Sequence, residues 1–197
     1  MNVDRTSRRT QAERRATTRA ALLTAGRELF AARGYAGVAT EEIVERAGVT
    51  RGALYHHFRG KDDLFRAVHE QIEQEVTERI VAGASRGGAP LEQLRAGAAT
   101  FLDACLEPEV QRIALLDAPS VLGWETWRET SERYGLGLLR AALQEAVEPG
   151  VPVDPLAHAL LGALHELALQ IARAADVPTA RREAGETLDR LLAAATQ

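Results

Sequence analysis

The sequence predicts an all-α protein in which a small N-terminal three-helix domain is followed by a larger helical domain, with about nine helices in all. Two observations support this fold class. Apolar residues recur at spacings of three and four along most of the chain, which is the period of a helix with one buried face. Glycine and proline interrupt this pattern at intervals that suit the connections between helices of ordinary length.

Helix 1 is predicted to run from about Arg14 to Arg33. Its apolar or small residues lie on one face and are Leu22, Gly26, Leu29 and Phe30. Gly34 follows the last basic residue and suits the left-handed position just past a helix end. Thr40 is predicted to be the N-cap of helix 2, because two glutamates follow it where the helix dipole favours negative charge.

Residues 48–61 predict the turn and second helix of a helix-turn-helix, followed by the start of the next helix. Gly48 can adopt a positive φ in the turn, and Thr50 can cap helix 3. At 100° per residue, Leu54 and Phe58 face the core. The opposite side carries three small or short side chains, Gly52, Ala53 and His56. The backbone of helix 3 could therefore approach the edges of DNA bases closely.

Three longer side chains are candidates for DNA contacts beside this short face. Arg51 could reach guanine or a phosphate from the first turn of helix 3, and Tyr55 could donate its hydroxyl to a phosphate. Lys61 is the only lysine among the 24 basic residues and lies beside the N-terminus of helix 4, where backbone N–H groups can hold a phosphate. The alternative is that Tyr55, His56 and Lys61 are ordinary solvated surface residues.

Charge divides the chain into two parts. Residues 1–61 hold 12 Lys+Arg and 6 Asp+Glu, whereas residues 62–197 hold 12 and 22. A basic head favours nucleic acid as the partner even though the whole chain has a net charge of −4. Residues 1–13 contain arginines and no periodic apolar residues, so they are predicted to form a disordered basic arm. This arm could lie along DNA or be a solvated leader.

The segment Ala47-Gly48-Val49-Thr50-Arg51-Gly52-Ala53-Leu54-Tyr55-His56-His57-Phe58, followed by Lys61 and Leu64-Phe65, closely resembles the signature of the TetR family of bacterial transcriptional regulators. The resemblance covers residues 14–68, roughly a third of the chain. It implies an all-helical homodimer whose helix 3 reads the major groove, and phosphate contacts from Thr40, Tyr55, His56 and Lys61. It does not identify a ligand, because the C-terminal domains of the family vary. The predicted DNA-binding residues are Thr40, Thr50, Arg51, Gly52, Ala53, Tyr55, His56 and Lys61.

The domain boundaries follow from these patterns. Residues 14–60 are predicted to be the helix-turn-helix domain, and residues 61–197 a ligand-binding and dimerisation domain with helix 4 as the connector. Helix 5 begins at Pro90, and Pro108 and Pro119 bracket a short helix 6. Helix 7 is predicted from about Trp124 to Val147.

The two C-terminal helices are predicted to form a dimer interface. Helix 8, from Leu156 to Ala175, is apolar almost all round, and a helix of this kind needs burial on every side. Helix 9, from about Pro178 to Ala195, carries a leucine stripe. Two such helices from each of two subunits could form a four-helix interface, an arrangement that the family resemblance also implies. The predicted contact residues are Leu160, Leu164, Leu167, Leu188 and Leu191.

A small-molecule pocket is predicted between helices 5, 6, 7 and 8, because aromatic residues occur there beside a few polar groups. The candidate lining residues are Phe101, Cys105, Leu106, Leu116, Asp117, Trp124, Trp127, Tyr134 and His165. The alternative is that both tryptophans are plain core. His158 and His165 lie two turns apart, which favours a hydrogen-bonded interface or pocket histidine over a shared metal. No metal or cofactor is expected.

These patterns favour a dimeric transcriptional regulator, a repressor that a small molecule releases from a palindromic operator. The alternatives are a ligand-independent activator or architectural DNA-binding protein, and an all-helical carrier or enzyme. We expect no enzyme, because no nucleophile–base set, carboxylate pair or phosphate-binding loop is present. The single cysteine, Cys105, and the lack of a membrane-length apolar run or signal peptide predict a cytoplasmic protein.

Overall fold

The computed structural model of the protein describes residues 11–84 and 88–195, which contain nine continuous helices and no β-strand. The first five helices are α1 (Gln11–Arg33), α2 (Thr40–Arg46), α3 (Arg51–His57), α4 (Lys61–Ala84) and α5 (Pro90–Ala104). The all-α fold class and the number of helices predicted from the sequence are therefore confirmed.

Two of the remaining helices contain π-helical segments. Helix α6 begins with the π-helical segment Val110–Asp117 and continues as Ala118–Leu122. Helix α7 runs through Trp124–Ser131, the π-helical segment Glu132–Leu136 and Gly137–Ala146. Helices α8 (Val153–Arg173) and α9 (Val177–Ala195) complete the described chain. None of the helices in residues 11–84 and 88–195 is long and apolar enough to span a bilayer.

The chain divides into two compact units between Val68 and His69, inside α4. The N-terminal unit, which we call the head, packs α1, α2, α3 and the first two turns of α4 around one core. Its fully buried large side chains are Leu22, Phe30, Ile43, Leu54, Leu64 and Phe65. The rings of Phe30 and Phe65 meet edge to face at 5.2 Å. Ion pairs between Arg46 and Glu28 and between Arg33 and Glu42 join α2 to α1.

Helix ends in the head differ from prediction at two places. The described part of α1 extends back to Gln11, three residues before the predicted start, and the rest of the predicted arm, residues 1–10, lies outside the described residues. The prediction that Thr40 caps α2 is wrong, because α2 begins at Thr40 and Ala39 is the N-cap residue. The Glu42 carboxylate accepts the Ala39 N–H at 2.8 Å, so a glutamate in the first turn replaces a capping hydroxyl. Gly34 has φ 72°, as the helix-end prediction required.

The second unit, which we call the body, has its main core between α5, α7, α8 and α9. The buried side chains of this core include Leu94, Leu102, Leu139, Leu143, Leu160, Leu161, Leu164, Ile171, Leu188 and Leu192. Three of the residues predicted for the dimer interface, Leu160, Leu164 and Leu188, are thus buried within their own protomer. Their assignment to an interface is wrong, since a side chain already covered inside one subunit has no surface to offer a second.

Pro119 was expected to end helix 6, but it lies inside α6. The Ala118 N–H donates to the Ile113 carbonyl, five residues back, as in a π-helix. The next bond of this series would join residue 119 to the carbonyl of Ala114, and proline has no N–H to donate. The Trp127 indole Nε1 donates to the Ala114 carbonyl instead, at 3.1 Å. The tryptophan thereby satisfies the carbonyl that the proline leaves free, and the helix continues to Leu122.

Candidate nucleic-acid interface and internal cavity

One side of helix α3 packs against the core of the head, and the opposite side is exposed to solvent. The turn before it contains Gly48 at φ 65°, and the Thr50 hydroxyl accepts the Ala53 N–H at 3.2 Å, which confirms both turn predictions. Leu54 and Phe58 are buried, whereas Tyr55 is 48 % exposed. A Cβ added to Gly52 would meet nothing closer than the Thr50 hydroxyl at 3.9 Å. Packing within the chain therefore does not require glycine at position 52.

Arg51 is held against the surface of the head by two neighbours. Its guanidinium lies 2.9 Å from the Glu41 carboxylate of α2 and donates to the Tyr55 hydroxyl at 3.4 Å. The same group lies 5.6 Å from the centre of the Tyr55 ring. Both charged side chains of the Arg51–Glu41 pair are exposed to solvent. Breaking this ion pair therefore costs little free energy when Arg51 meets another acceptor.

Lys61 has a structural role that the sequence interpretation missed. Its Nζ donates to the carbonyl oxygens of Tyr35 at 2.9 Å and Val38 at 2.8 Å, and it lies 4.0 Å above the Tyr35 ring. An ammonium group has three N–H donors. The loop between α1 and α2 occupies two of them, so at most one N–H of Lys61 is available to a phosphate.

The other predicted DNA-binding residues lie near this face with different degrees of exposure. Thr40 and Ala53 are half-buried, and His56 is exposed. The ring of His56 meets that of His57 at 5.3 Å. We call the exposed side of α3, formed by Arg51, Gly52, Tyr55 and His56, the recognition face. A tight turn followed by a short helix with one buried and one exposed side is the geometry of a helix-turn-helix, the unit that places a helix in a DNA groove.

The body contains a cavity of about 280 Å³ that lies between α4, α5, α7 and α8 and opens partly to solvent. Its apolar wall includes Val76, Ile80, Leu94, Phe101, Leu139, Leu161 and Leu164. Its polar lining residues are Glu73, Thr77, Gln93, Ser131, Glu145 and His165. An apolar space with a few polar groups is the usual form of a small-molecule site.

Three polar groups define the chemistry of this cavity. The Ser131 hydroxyl oxygen is buried and has no hydrogen-bond partner among the described residues. Burial lowers the pKa of His165 below 6.5, so its imidazole is neutral at pH 7. The His165 ring lies between Trp127, at 5.0 Å, and Phe101, at 6.1 Å. The Glu73 carboxylate lies 3.3 Å from Nε2 of the buried His69.

The structure distributes the predicted pocket residues over several environments. Phe101 and His165 line the cavity, and together with Cys105 and Trp127 they line a smaller space of about 20 Å³. Burial raises the pKa of the Cys105 thiol, which therefore stays protonated. The residues that lie outside the cavity lining are Leu106, Leu116, Asp117, Trp124 and Tyr134. Leu106, Leu116 and Trp124 are exposed, the Asp117 carboxylate faces Arg112 at 3.6 Å, and Tyr134 is half-buried.

Sequence reasoning missed the contribution of α4 to the cavity. Glu73 and Thr77 are four residues apart and share a helix face with the apolar stripe that continues through Val76 and Ile80. Polar residues at this helical spacing, next to an apolar stripe, are the sequence pattern that could have predicted a polar lining from α4. Among the described residues, no group of three or more His, Cys, Asp or Glu side chains is placed to hold a metal ion.

Comparison with known proteins gives the family. Residues 22–68 match the model of the bacterial regulatory proteins of the tetR family, and residues 91–195 match the tetracyclin repressor-like C-terminal domain. The crystal structure of a TetR-family transcriptional regulator from Pectobacterium atrosepticum is 34% identical, with a TM-score of 0.80 over 95% of this chain and 98% of that one. A TetR-family regulator from Streptomyces coelicolor shares the fold at 21% identity, with a TM-score of 0.76 over 92% of this chain and 97% of that one.

Two curated relatives agree. The Tn10 TetC protein of Escherichia coli is 28% identical over 70% of each chain, and the regulator CymR of Pseudomonas putida is 42% identical over 36% of each. The chain belongs to the TetR family of bacterial transcriptional regulators. Proteins of this family bind DNA through the N-terminal helix-turn-helix domain and are regulators rather than enzymes.

Proposed function

We propose that the protein is a dimeric repressor that leaves its operator when a small molecule occupies the cavity of the body. The observation that carries this proposal is the recognition face, which is bare while Leu54 and Phe58 anchor α3 from behind. The apolar cavity with its unpartnered Ser131 hydroxyl supports a ligand-dependent function. We place the protein in the cytoplasm, where a regulator has access to chromosomal DNA.

On DNA, α3 enters the major groove with Gly52 and Ala53 closest to the bases. Arg51 exchanges the Glu41 carboxylate for guanine or a phosphate, since the solvent-exposed Arg51–Glu41 pair contributes little free energy in the free protein. Tyr55 and His56 donate to phosphates from the flank of α3, and Thr40 does so from the first residue of α2. Thr50 keeps the first turn of α3 in place, and Lys61 contributes its remaining N–H.

The dimer forms through the outward sides of α8 and α9. On α8 this side carries Ala159, Gly162 and Glu166, which are exposed and mostly small, so that a second helix can approach closely. On α9, Leu191 is 41 % exposed, and it is the predicted interface residue that remains most available for contact. Leu167 is half-buried and contributes at the edge. A two-fold axis then places two recognition faces on one palindromic operator.

Release follows from a difference in affinity. The ligand can shift the protein away from the DNA-binding state only to the extent that it binds the other state more tightly. Helix α4 is unbroken from Lys61 to Ala84, and Glu73, Thr77 and Ile80 on this helix line the cavity. A ligand that displaces these residues therefore acts on the helix whose first turns belong to the head.

The experiment is selection of bound duplexes from a random DNA pool, followed by binding measurements at several salt concentrations. We expect a palindromic motif, and an affinity for it that falls steeply with salt but stays above the affinity for random DNA. Weak, salt-insensitive binding to every duplex would refute the proposal. An operator complex that no compound in a chemical library dissociates would instead favour a ligand-independent regulator.

A further inference from the structure

The charged side chains that line the cavity are all acidic among the described residues. Two carboxylates, Glu73 and Glu145, belong to the lining, and among residues 11–84 and 88–195 no lysine or arginine does. The nearby Arg128 is engaged with Glu132, to which its Nε donates at 3.0 Å. The remaining titratable side chain of the lining is His165, which is neutral at pH 7 because burial lowers its pKa. The described part of the lining therefore carries the negative charge of two carboxylates and no lysine or arginine.

Glu73 is the carboxylate best placed to contact a molecule inside. Its side chain is only 19% exposed, and among the described ion pairs its one neighbour is the buried His69. Glu145 is exposed, so solvent screens its charge more strongly. A carboxylate in partly desolvated surroundings attracts a cation more strongly than it would at the surface.

Two further features of the wall suit the same kind of guest. The Ser131 hydroxyl is buried without a partner and can accept an N–H from a bound molecule. Phe101 also lines the cavity, and an aromatic ring can stabilise a cation placed over its face. Apolar side chains cover most of the remaining surface and suit a hydrocarbon or aromatic body. An anion would be repelled by Glu73 and would meet no lysine or arginine among the described lining residues.

We propose that the effector is a lipophilic cation, an organic amine or amidine whose charged head lies at Glu73 and whose apolar body lies against Ile80, Leu94 and Leu139. This inference rests on the proposed function, because it names the class of molecule that the cavity accepts. It predicts discrimination by charge among molecules of the same shape. Neutral analogues bind more weakly, and anionic analogues are rejected.

The test uses three probes with one apolar body and different heads: 4-phenylbutylamine, 4-phenylbutanol and 4-phenylbutyrate. Their affinities for the full-length protein are measured by calorimetry at pH 7. We expect the amine to bind about tenfold or more tightly than the alcohol, a factor that corresponds to about 1.4 kcal/mol. The carboxylate should show no binding at the concentration that saturates the amine. Equal affinities for the three probes, tighter binding of the carboxylate, or no binding of the amine would overturn the proposal.

The variant Glu73→Gln keeps the size of the side chain and removes its charge. It should reduce the affinity for the amine to that for the alcohol and leave the alcohol unchanged. The matched control is Glu78→Gln, on the same helix, where the carboxylate accepts a hydrogen bond from Gln74 and does not line the cavity. Thermal unfolding of both variants shows that they fold. A loss of amine binding in Glu78→Gln equal to that in Glu73→Gln would show a general charge effect and refute the assignment.

The same probes separate this inference from the proposed function. Amine binding that depends on Glu73 but does not alter operator affinity would support the charge preference of the cavity and refute its role as the effector site. Operator release by the alcohol or the carboxylate, with no preference for the amine, would support a ligand-responsive repressor and refute the cationic ligand.

Discussion

Lys61 and Tyr35 are joined twice, because Nζ donates to the Tyr35 carbonyl at 2.9 Å and lies 4.0 Å from the centre of its ring. The Val38 carbonyl is the second acceptor of the same ammonium group, at 2.8 Å. The lysine at the start of α4 thereby fixes the loop that leads into α2. Its contribution to DNA binding is coupled to its contribution to the fold.

Replacing Lys61 by alanine should lower the free energy of unfolding by about 1–3 kcal/mol, since two charge-assisted hydrogen bonds are lost. It should also weaken binding to operator and random DNA by the same factor, because a lysine–phosphate contact carries no base information. Chemical denaturation and DNA titration measure the two effects. A variant with wild-type stability and weaker DNA binding would show that the carbonyl contacts contribute nothing.

Gly52 offers a test that separates function from stability. Replacing it by alanine adds a Cβ into open space and should raise the free energy of unfolding by up to about 1 kcal/mol, because glycine is a poor helix former. The same methyl group keeps α3 away from the bases, so operator affinity should fall by about tenfold or more. Denaturation and operator titration on the same preparation measure both quantities. A more stable variant with full operator affinity would show that the DNA bases do not approach α3 at position 52.

Arg51 is expected to read a base from the first turn of α3. Arg51→Ala should weaken operator binding by about 1–3 kcal/mol and relax the preference at one base pair of each half-site. Selection of bound DNA with the variant shows which position loses its preference. Equal losses on operator and random DNA would assign Arg51 to the phosphate backbone.

Glu41→Gln is the partner of this experiment. It removes the carboxylate that holds Arg51 at 2.9 Å in the free protein and one negative charge from the head. Binding to DNA should therefore become tighter by several-fold, and the gain should be clearly larger when Arg51 is present than in the Arg51→Ala background. The same gain in the Arg51→Ala background would attribute it to net charge alone.

Trp127 and Trp124 are three residues apart on α7 and should respond differently to truncation. Trp127→Phe leaves the Ala114 carbonyl without its hydrogen bond in the interior, which costs about 1–3 kcal/mol. Trp124 is 61 % exposed, so Trp124→Phe should change the free energy of unfolding by less than about 0.5 kcal/mol. Urea denaturation of the two variants makes the comparison. Equal effects would mean that the carbonyl is satisfied by another group.

His165 should make the stability of the body depend on pH in the acidic range. Burial lowers the pKa of His165 in the folded state below 6.5, and Arg128 contributes in the same direction, while Glu73 opposes the shift. The unfolded chain then takes up a proton first as the pH falls below about 6.5, so stability is lost until the folded-state pKa is passed. Above about pH 6.5 this residue contributes no pH dependence.

The variant His165→Asn should accordingly show a smaller loss of stability between about pH 7.5 and pH 5.5 than the unmodified protein. The slopes of the two stability curves are compared, because the substitution also alters packing. Parallel curves would mean that the imidazole titrates alike in both states.

Local sequence patterns predicted the head well and the cavity only in part. The 100° spacing of Leu54 and Phe58 predicted the buried side of α3, because its period is independent of the tertiary structure. The sequence pattern predicts Thr40 as the cap of α2, since a Glu42 side chain that replaces a capping hydroxyl leaves the same pattern. Pro119 is tolerated inside α6 because the Trp127 indole, eight residues further along the chain, donates to the Ala114 carbonyl. A contact of this kind cannot be predicted from the residues next to the proline.

The dimer interface and the cavity lining are harder to predict from sequence, because both depend on which side of a helix the tertiary structure buries. A helix as apolar as α8 needs cover on most sides, but its sequence does not say which leucines face their own protomer. Trp124 and Trp127 looked equivalent in the sequence, and the tertiary structure exposes one and buries the other. The apolar stripe of α4 predicts a buried connector, and it does not show that Glu73 beside this stripe lines a cavity.

The π-helical segment Glu132–Leu136 gives this cavity an unusual way to diverge between related regulators. A π-helical turn holds one more residue than an α-helical turn, and α7 carries cavity-lining residues both before and after it. Loss of a single codon within the segment would restore the ordinary helical period and remove the extra residue from that turn. Leu138, Leu139 and Ala142 would keep their direction, because the wider turn already absorbs one residue without rotating the helix beyond it. A change in chain length, rather than in residue type, would then rebuild the cavity wall around Gly135 and leave the rest of α7 in register.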